Sequence, residues 1–315
     1  MLKRLLRAII ILVLVVFAAY ILVSNIAFFQ GSGGAYRIKT IIDVDSGHGL
    51  DGMFAVARAL TDKNIEVVGL ISSHWNFVEN TPDSTVKAGQ EINEKILDLL
   101  NLKHIPNLRG ANSMLQGNEQ LVPVLSEGAQ FIIENAQGLA SGEKIRIITL
   151  GATTNLASAI LLDSSIIEKL DCYISGLKYD PFRKAWNKNE FNTRNDLDAM
   201  DLILNIKSLE ITVLPVTVSE KLIFQKSEMV EQMTNKANIW DYLLKYLETD
   251  STGMQHLVMN DVALIEAIVH PKYATIREFY GPPENTRRKI RVYTNIKAES
   301  MIKDFWKDVE ENTGY

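Results

Sequence analysis

The chain has 315 residues, enough to bury a full core in one large α/β domain or two small ones. Its formal net charge of −5, from 33 Lys and Arg against 38 Asp and Glu, gives no clustered basic surface of the kind that nucleic-acid binders carry, so nucleic acid is excluded as a partner. The single cysteine, Cys172, excludes an internal disulfide, and its neighbours (KLDCYISG) hold nothing that would activate a thiol, so it reads as a small buried residue on a strand.

Taken in chain order, the first feature is a compositional break. Lys3, Arg4 and Arg7 precede an uncharged run over residues 8–29, close to the roughly 20 apolar residues that a helix needs to cross a bilayer. A cleaved signal peptide has a shorter apolar region and a small-residue cleavage site. Residues 1–29 are therefore expected to form an uncleaved signal anchor, a transmembrane helix whose basic end stays in the cytoplasm and whose following domain lies outside it. A cleaved and secreted form is the alternative. Residues 30–36, rich in glycine and serine, read as a flexible tether, and residues 37–315 as one domain.

Within that domain residues 37–45 (RIKTIIDVD) have the β-branched enrichment of a buried strand, and Met53, Ala57 and Leu60 follow at helical spacing. Residues 65–72 read as a second strand, 81–100 and 128–140 as helices, 144–150 as a strand, and the Ala/Leu/Ile-rich stretch to residue 162 as a helix. A helix over 198–205 and a strand over 209–218 continue the pattern. Alternation of strand and helix predicts an α/β fold, an open, mostly parallel sheet with helices on both faces, in which ligands bind at the carboxyl ends of the strands.

The chemistry gathers at the first strand's end, where DVDSGHGLDG places Asp43, Asp45 and Asp51 within nine residues. Carboxylates so close raise one another's pKa unless positive charge sits between them. A hard divalent cation such as Ca²⁺ or Mg²⁺ suits an oxygen-only donor set with no cysteine or histidine pair nearby. The competing reading is an acidic turn with Asp51 as a helix cap.

Five blocks then occur in order. DVDSGHGLDGMFA resembles the amino-terminal signature of the inosine-uridine preferring nucleoside hydrolases, and GLISSHWN (69–76) is similar to that family's second strand. GATTNLA (151–157) resembles its Gly-x-x-Thr-Asn-x-Ala turn. EFNTRNDLDA (190–199) matches Glu-Phe-Asn-x-x-x-Asp-Pro-x-Ala with leucine for proline, and MNDVA (259–263) stands where the late His-Asp-x-x-Ala element would. The blocks span residues 38–275, most of the domain. The resemblance implies a nucleoside hydrolase fold and hydrolysis of the N-glycosidic bond of a ribonucleoside or related N-ribosyl compound, a Ca²⁺-bound water attacking the anomeric carbon through an oxocarbenium-like state. It implies nucleoside catabolism with a small-molecule nucleoside or ribosyl ligand, and a homo-oligomer is an open expectation.

The same resemblance assigns roles. Asp45 would ligate the metal and act as general base, the backbone carbonyl of Thr154 and the carboxylate of Asp261 would complete the protein ligands, and Asp43 would brace the loop or the metal shell. Asp51 would accept from a ribose hydroxyl, Asn76 and Asn192 would hold the sugar diol, Glu190 would grip the 5′-hydroxyl, and Asn260 stands where many members have a histidine near the leaving base. Asn155 is expected to cap the helix that follows it. His48 is set aside as structural or solvated, His74 is a marginal pocket candidate, and Trp75, Phe182 and Trp186 are candidates to stack on a base.

Departures from the pattern bear on activity. The family has two adjacent aspartates at the start of the first helix, and here the pair reads Asp51-Gly52. Gly52 removes a carboxylate from the expected shell, and affinity for Ca²⁺ follows ligand charge and count, so Ca²⁺ is expected to bind weakly or not at all. Asparagine at 260 cannot donate a proton as a histidine can, and Val216-Thr-Val-Ser219 lacks the aspartate common at that strand. A catalytically impaired ribose- or nucleoside-binding protein of the same fold is therefore the alternative function. A third reading takes Asp43 and Asp45 as the aspartate pair of a haloacid-dehalogenase-type phosphatase. That pattern calls for threonine where Gly47 stands, and it leaves Glu190-Phe-Asn192 without a role.

Overall fold

The computed structural model describes residues 37–76, 84–117, 120–236, 238–249 and 253–311. The expected anchor and tether, residues 1–36, lie outside the described residues, among which no helix is long and apolar enough to cross a membrane. Every element below belongs to the compact unit Ile38–Tyr315.

Strand β1 (Lys39–Val44) leads through α1 (Leu50–Thr61) to β2 (Glu66–Ser72), α2 (Thr85–Leu99) and β3 (Asn107–Arg109). Helix α3 (Glu127–Gln137), β4 (Ile145–Thr149), α4 (Thr154–Leu162) and β5 (Leu170–Ser175) follow, then the short pair β6 (Lys178–Asp180) and β7 (Ala185–Asn187). After α5 (Phe191–Asn195), α6 (Leu197–Asn205), β8 (Glu210–Leu214) and α7 (Val216–Ser219) come β9 (Ile223–Gln225), α8 (Lys226–Met233), α9 (Ile239–Thr249) and β10 (His256–Val258). The chain closes with α10 (Asn260–Val269), β11 (Ala274–Tyr280), β12 (Lys289–Ile296) and α11 (Ala298–Glu311).

Eight of these strands make one sheet in the order β11-β12-β8-β5-β4-β1-β2-β3, and every neighbouring pair is parallel except β11 with β12. The order reverses between β1 and β4, so the crevice for a ligand opens at the carboxyl ends of those two strands. β1 is buried from Thr40 to Val44 because helices cover both faces. Ile42, Val44, Leu70 and Ile148 pack into one hydrophobic layer with α1, α10 and α11, while Ile41, Ile71 and Ile147 pack into the other with α3, α4 and α6. A strand covered on both sides reads as a continuous apolar run rather than an alternating one.

Local signals set the boundaries. Ser84 Oγ accepts from the Lys87 amide and starts α2 at Thr85, four residues later than the expected 81. Ser126 does the same for α3 through the Ala129 amide. The strand expected over 209–218 stops at Leu214, because Pro215 has no N–H for the ladder and instead opens the short helix α7.

Candidate functional site

A cavity of about 750 Å³ opens at the reversal point. Asp45 reaches it from the end of β1, Asp51 from the first turn of α1, Glu190 and Asn192 from α5 and its cap, and Asn260 and Asp261 from the first turn of α10. Ser175 lines it from the end of β5, and Leu50, Met53, Phe191, Leu257 and Met259 give it an apolar wall. Among the described residues no Lys or Arg lines it.

The acids are held firmly and close together. Asp51 accepts from the amides of Asp261 at 2.9 Å and Val262 at 3.2 Å, satisfying donors that the start of α10 leaves without intrahelical partners. Glu190 caps α5 by accepting from Asn192 N at 3.0 Å and Thr193 N at 3.0 Å, and its Oε2 also takes the Leu177 amide at 3.2 Å. Asn192 Nδ2 donates to the carbonyls of Leu150 at 3.2 Å and Ser175 at 3.1 Å, which ties α5 to the ends of β4 and β5. Ser219 Oγ donates to Asn260 Oδ1 at 2.7 Å.

Burial dominates the electrostatics. Asp45 is pushed up to about 8, by burial first and then by the charges of Asp51, Glu190 and Asp43, and its Oδ2 is buried with no hydrogen-bond partner among the described residues. Burial likewise pushes Asp51 up to about 7, against the amide bonds that favour its charge. Asp261 is raised well above the usual carboxylate range by burial and by the neighbouring Asp51 and Asp45. Three carboxylates that resist ionisation beside one another form a place where positive charge would be strongly stabilised.

Other residues named from the sequence stand elsewhere. Asp43 is fully buried and does not reach the cavity wall; Ser73 Oγ donates to it at 2.6 Å and Asn155 Nδ2 at 3.1 and 3.2 Å. Asn155 therefore does not cap α4 as expected: its Oδ1 accepts from Ala111 N at 2.7 Å and Ser126 Oγ at 3.0 Å, and the capping residue Thr153 makes no side-chain bond. A fully buried carboxylate needs donors, and Asn155 supplies them. Thr154 is buried off the wall, its hydroxyl donating to Asp196 at 2.6 Å. Asn76 is exposed, its amide donating to Asn195 Oδ1 at 3.1 Å, and the residues after it, 77–83, lie outside the described ones.

The aromatic candidates also miss the wall. Trp75 is buried, Phe182 is 97% exposed, and Trp186 packs on Tyr179 while its Nε1 donates to the Tyr280 carbonyl. His74 is buried with Nε2 3.2 Å from the Asn195 carbonyl. His48, set aside on sequence, does line the cavity; its ring stacks on Phe191 with centroids 4.1 Å apart, and burial lowers its pKa. The signal for it was its place in the loop between Asp45 and Asp51, both of which reach the site.

Oxygen donors, the unpartnered Asp45 Oδ2 and the mutually repelling Asp45 and Asp261 fit a hard divalent cation in kind. They do not make a closed shell: among the described residues no group of three or more His, Cys, Asp or Glu side chains is arranged to hold a metal. Gly52 lies beside these acids: a Cβ there would be 3.6 Å from Asp261 Oδ2 and 3.2 Å from Val44 Cγ2.

The family model described as "Inosine-uridine preferring nucleoside hydrolase" matches residues 40–312. A probable uridine nucleosidase 2 of Arabidopsis thaliana is 23% identical over 301 residues, covering 86% of this chain and 90% of the relative. Among solved structures, a plant nucleoside hydrolase superposes with a TM-score of 0.69 at 17% identity, covering 88% of this chain and 99% of that one. A purine-preferring ribonucleoside hydrolase from Gardnerella vaginalis superposes with a TM-score of 0.65 at 17% identity, covering 87% and 99%. At such identities the structural likeness speaks for the fold.

Proposed function

The chain belongs to the inosine-uridine preferring nucleoside hydrolase family, and from that premise we propose that its cavity hydrolyses the N-glycosidic bond of ribonucleosides or closely related N-ribosyl compounds. The observation that carries the reading is the convergence of Asp45 and Asp51, at the two ends of one loop, with Asp261, more than 200 residues later, on one cavity at the sheet's reversal point.

In this reading Asp45 is the base. Among the described residues its Oδ2 has no hydrogen-bond partner to release before it takes a proton from the attacking water, and burial, which raises its pKa, makes its ionised form a stronger proton acceptor than an ordinary carboxylate. The carboxylates around the ribose ring stabilise the positive charge that develops on it as the bond to the base breaks. Asp51, Asn192 and Glu190 face the sugar, and the wall from Phe191 to Met259 receives the base. A Ca²⁺ ion held by Asp45 and Asp261 would add Lewis-acid activation of the water and offset the crowded negative charge.

A second reading, a ribose- or nucleoside-binding protein without efficient turnover, draws on Gly52, which supplies no carboxylate beside Asp261. Ribose release from uridine and inosine in the presence of Ca²⁺ separates the two. The first reading predicts release that falls at least about 100-fold in Asp45→Asn, the lower end of what a general base contributes. Saturable nucleoside binding with no ribose released by the parent protein would favour the second.

A further inference from the structure

A buried polar cluster lies off the cavity wall and no step above uses it. Arg58, on α1, is 1% exposed, yet its guanidinium bonds three acids: Nε donates to Glu266 Oε1 on α10 at 2.7 Å, one terminal nitrogen to Asp62 Oδ2 at 2.7 Å, and the other to Asp308 on α11. That last nitrogen is also 3.5 Å from His270 Nε2, at the end of α10. Glu266 is fully buried, with its Oε2 3.7 Å from the same histidine.

Helical spacing relates this cluster to the site. Arg58 stands seven residues beyond Asp51, two turns along the same face of α1, and Glu266 stands four beyond Val262, one turn along the same face of α10. The two helices are thus joined at two levels: Asp51 to the amides of Asp261 and Val262 at the cavity, and Arg58 to Glu266 farther along both helices. At the upper level the bonds run from one side chain to two backbone amides, and the lower level adds a second, side-chain to side-chain point of attachment between the same two helices. A planar guanidinium fork fixes both distance and angle, and setting register is the best-attested use of a buried ion pair.

We propose that Arg58 is a positioning residue: by bonding Glu266 it sets the register of α1 against α10 and so keeps Asp51 over the amides of Asp261 and Val262. Its effect on turnover rests on the nucleoside hydrolase reading; its effect on geometry does not.

Amide hydrogen exchange reads the geometry directly. Arg58→Lys keeps a cation among the acids but loses the fork, and the amides of Asp261 and Val262 should then exchange at least ten-fold faster than in the parent, while those of Ile147 and Ile148 in β4 keep the parent rate. Glu266→Gln, which preserves the acceptor for Nε, should keep the slow exchange. Should Arg58→Lys not fold, Arg58→Met combined with Glu266→Leu, an apolar replacement of the pair, should show the same local quickening. Parent-like exchange at residues 261 and 262 in a folded variant would overturn the proposal, as would equal quickening in β4, which would mean general loosening. In the kinetic arm, Arg58→Lys should raise KM for uridine more than it lowers kcat. If the exchange result holds and no form of the protein releases ribose, the positioning stands and the hydrolase reading fails.

Discussion

A Cβ on Gly52 would sit 3.6 Å from Asp261 Oδ2, so an aspartate there would extend its carboxyl toward the space that Asp45 and Asp261 share. Since Ca²⁺ affinity rises with the number of charged ligands, Gly52→Asp should tighten Ca²⁺ binding about ten-fold or more by calorimetry, provided the Val44 methyl at 3.2 Å gives way. Unchanged affinity would show that the gap in the shell lies elsewhere. At this scale the sequence carried the acids well, because Asp45, Asp51 and Asp261 stand at strand ends and first helical turns, where side chains project into a crevice. It carried the support poorly. Asn155 looks like a helix cap until Asp43, 112 residues away, is seen to need its amide, and a lone histidine such as His48 gives no sign in one dimension that it will stack on Phe191.

Helix α10 begins at the site with its amides turned to a side chain from another helix, and that contact separates a structural from a binding role for Asp51. Asp51→Ala leaves the amides of Asp261 and Val262 without acceptors, which costs about 1–3 kcal/mol for a buried donor and should lower the midpoint of thermal unfolding by several degrees. Asp51→Asn keeps one carbonyl acceptor and should recover much of that loss while still weakening nucleoside affinity; parent-like affinity in Asp51→Asn, with affinity falling only in Asp51→Ala, would make Asp51 a cap and nothing more. The parallel sheet was legible from strand and helix alternation, since β1, β2 and β4 are buried runs bounded by polar turns. The three-residue strands β6, β7, β9 and β10 were not, being too short to show a period. The strand expected to reach residue 218 overran because apolar spacing continued past Pro215 while the backbone ladder could not.

Across the whole molecule the unusual quantity is buried acid. Asp43, Asp45 and Asp51 sit at about 7 to 8 in the fold against an ordinary 3.8, and Asp261 is raised too. A carboxyl raised by folding contributes stability that is complete below the unfolded value and is lost as pH rises through the folded one. Without divalent cations the protein should therefore lose stability progressively as pH rises from about 4 to about 8. Thermal unfolding across that range checks the sign; a midpoint that rises instead would mean these acids are ionised and paired in the fold. Added Ca²⁺ should flatten the decline, because a cation favours the charged forms.

The most direct test of the shared cation is calorimetric titration of Ca²⁺ into the parent protein, Asp45→Asn and Asp261→Asn at pH 8. One weak site, with Kd on the order of 10⁻⁴ to 10⁻³ M, present in the parent and lost in both variants, is the predicted result. A site that survives both substitutions would contradict it, since the two carboxylates would then not meet around one ion.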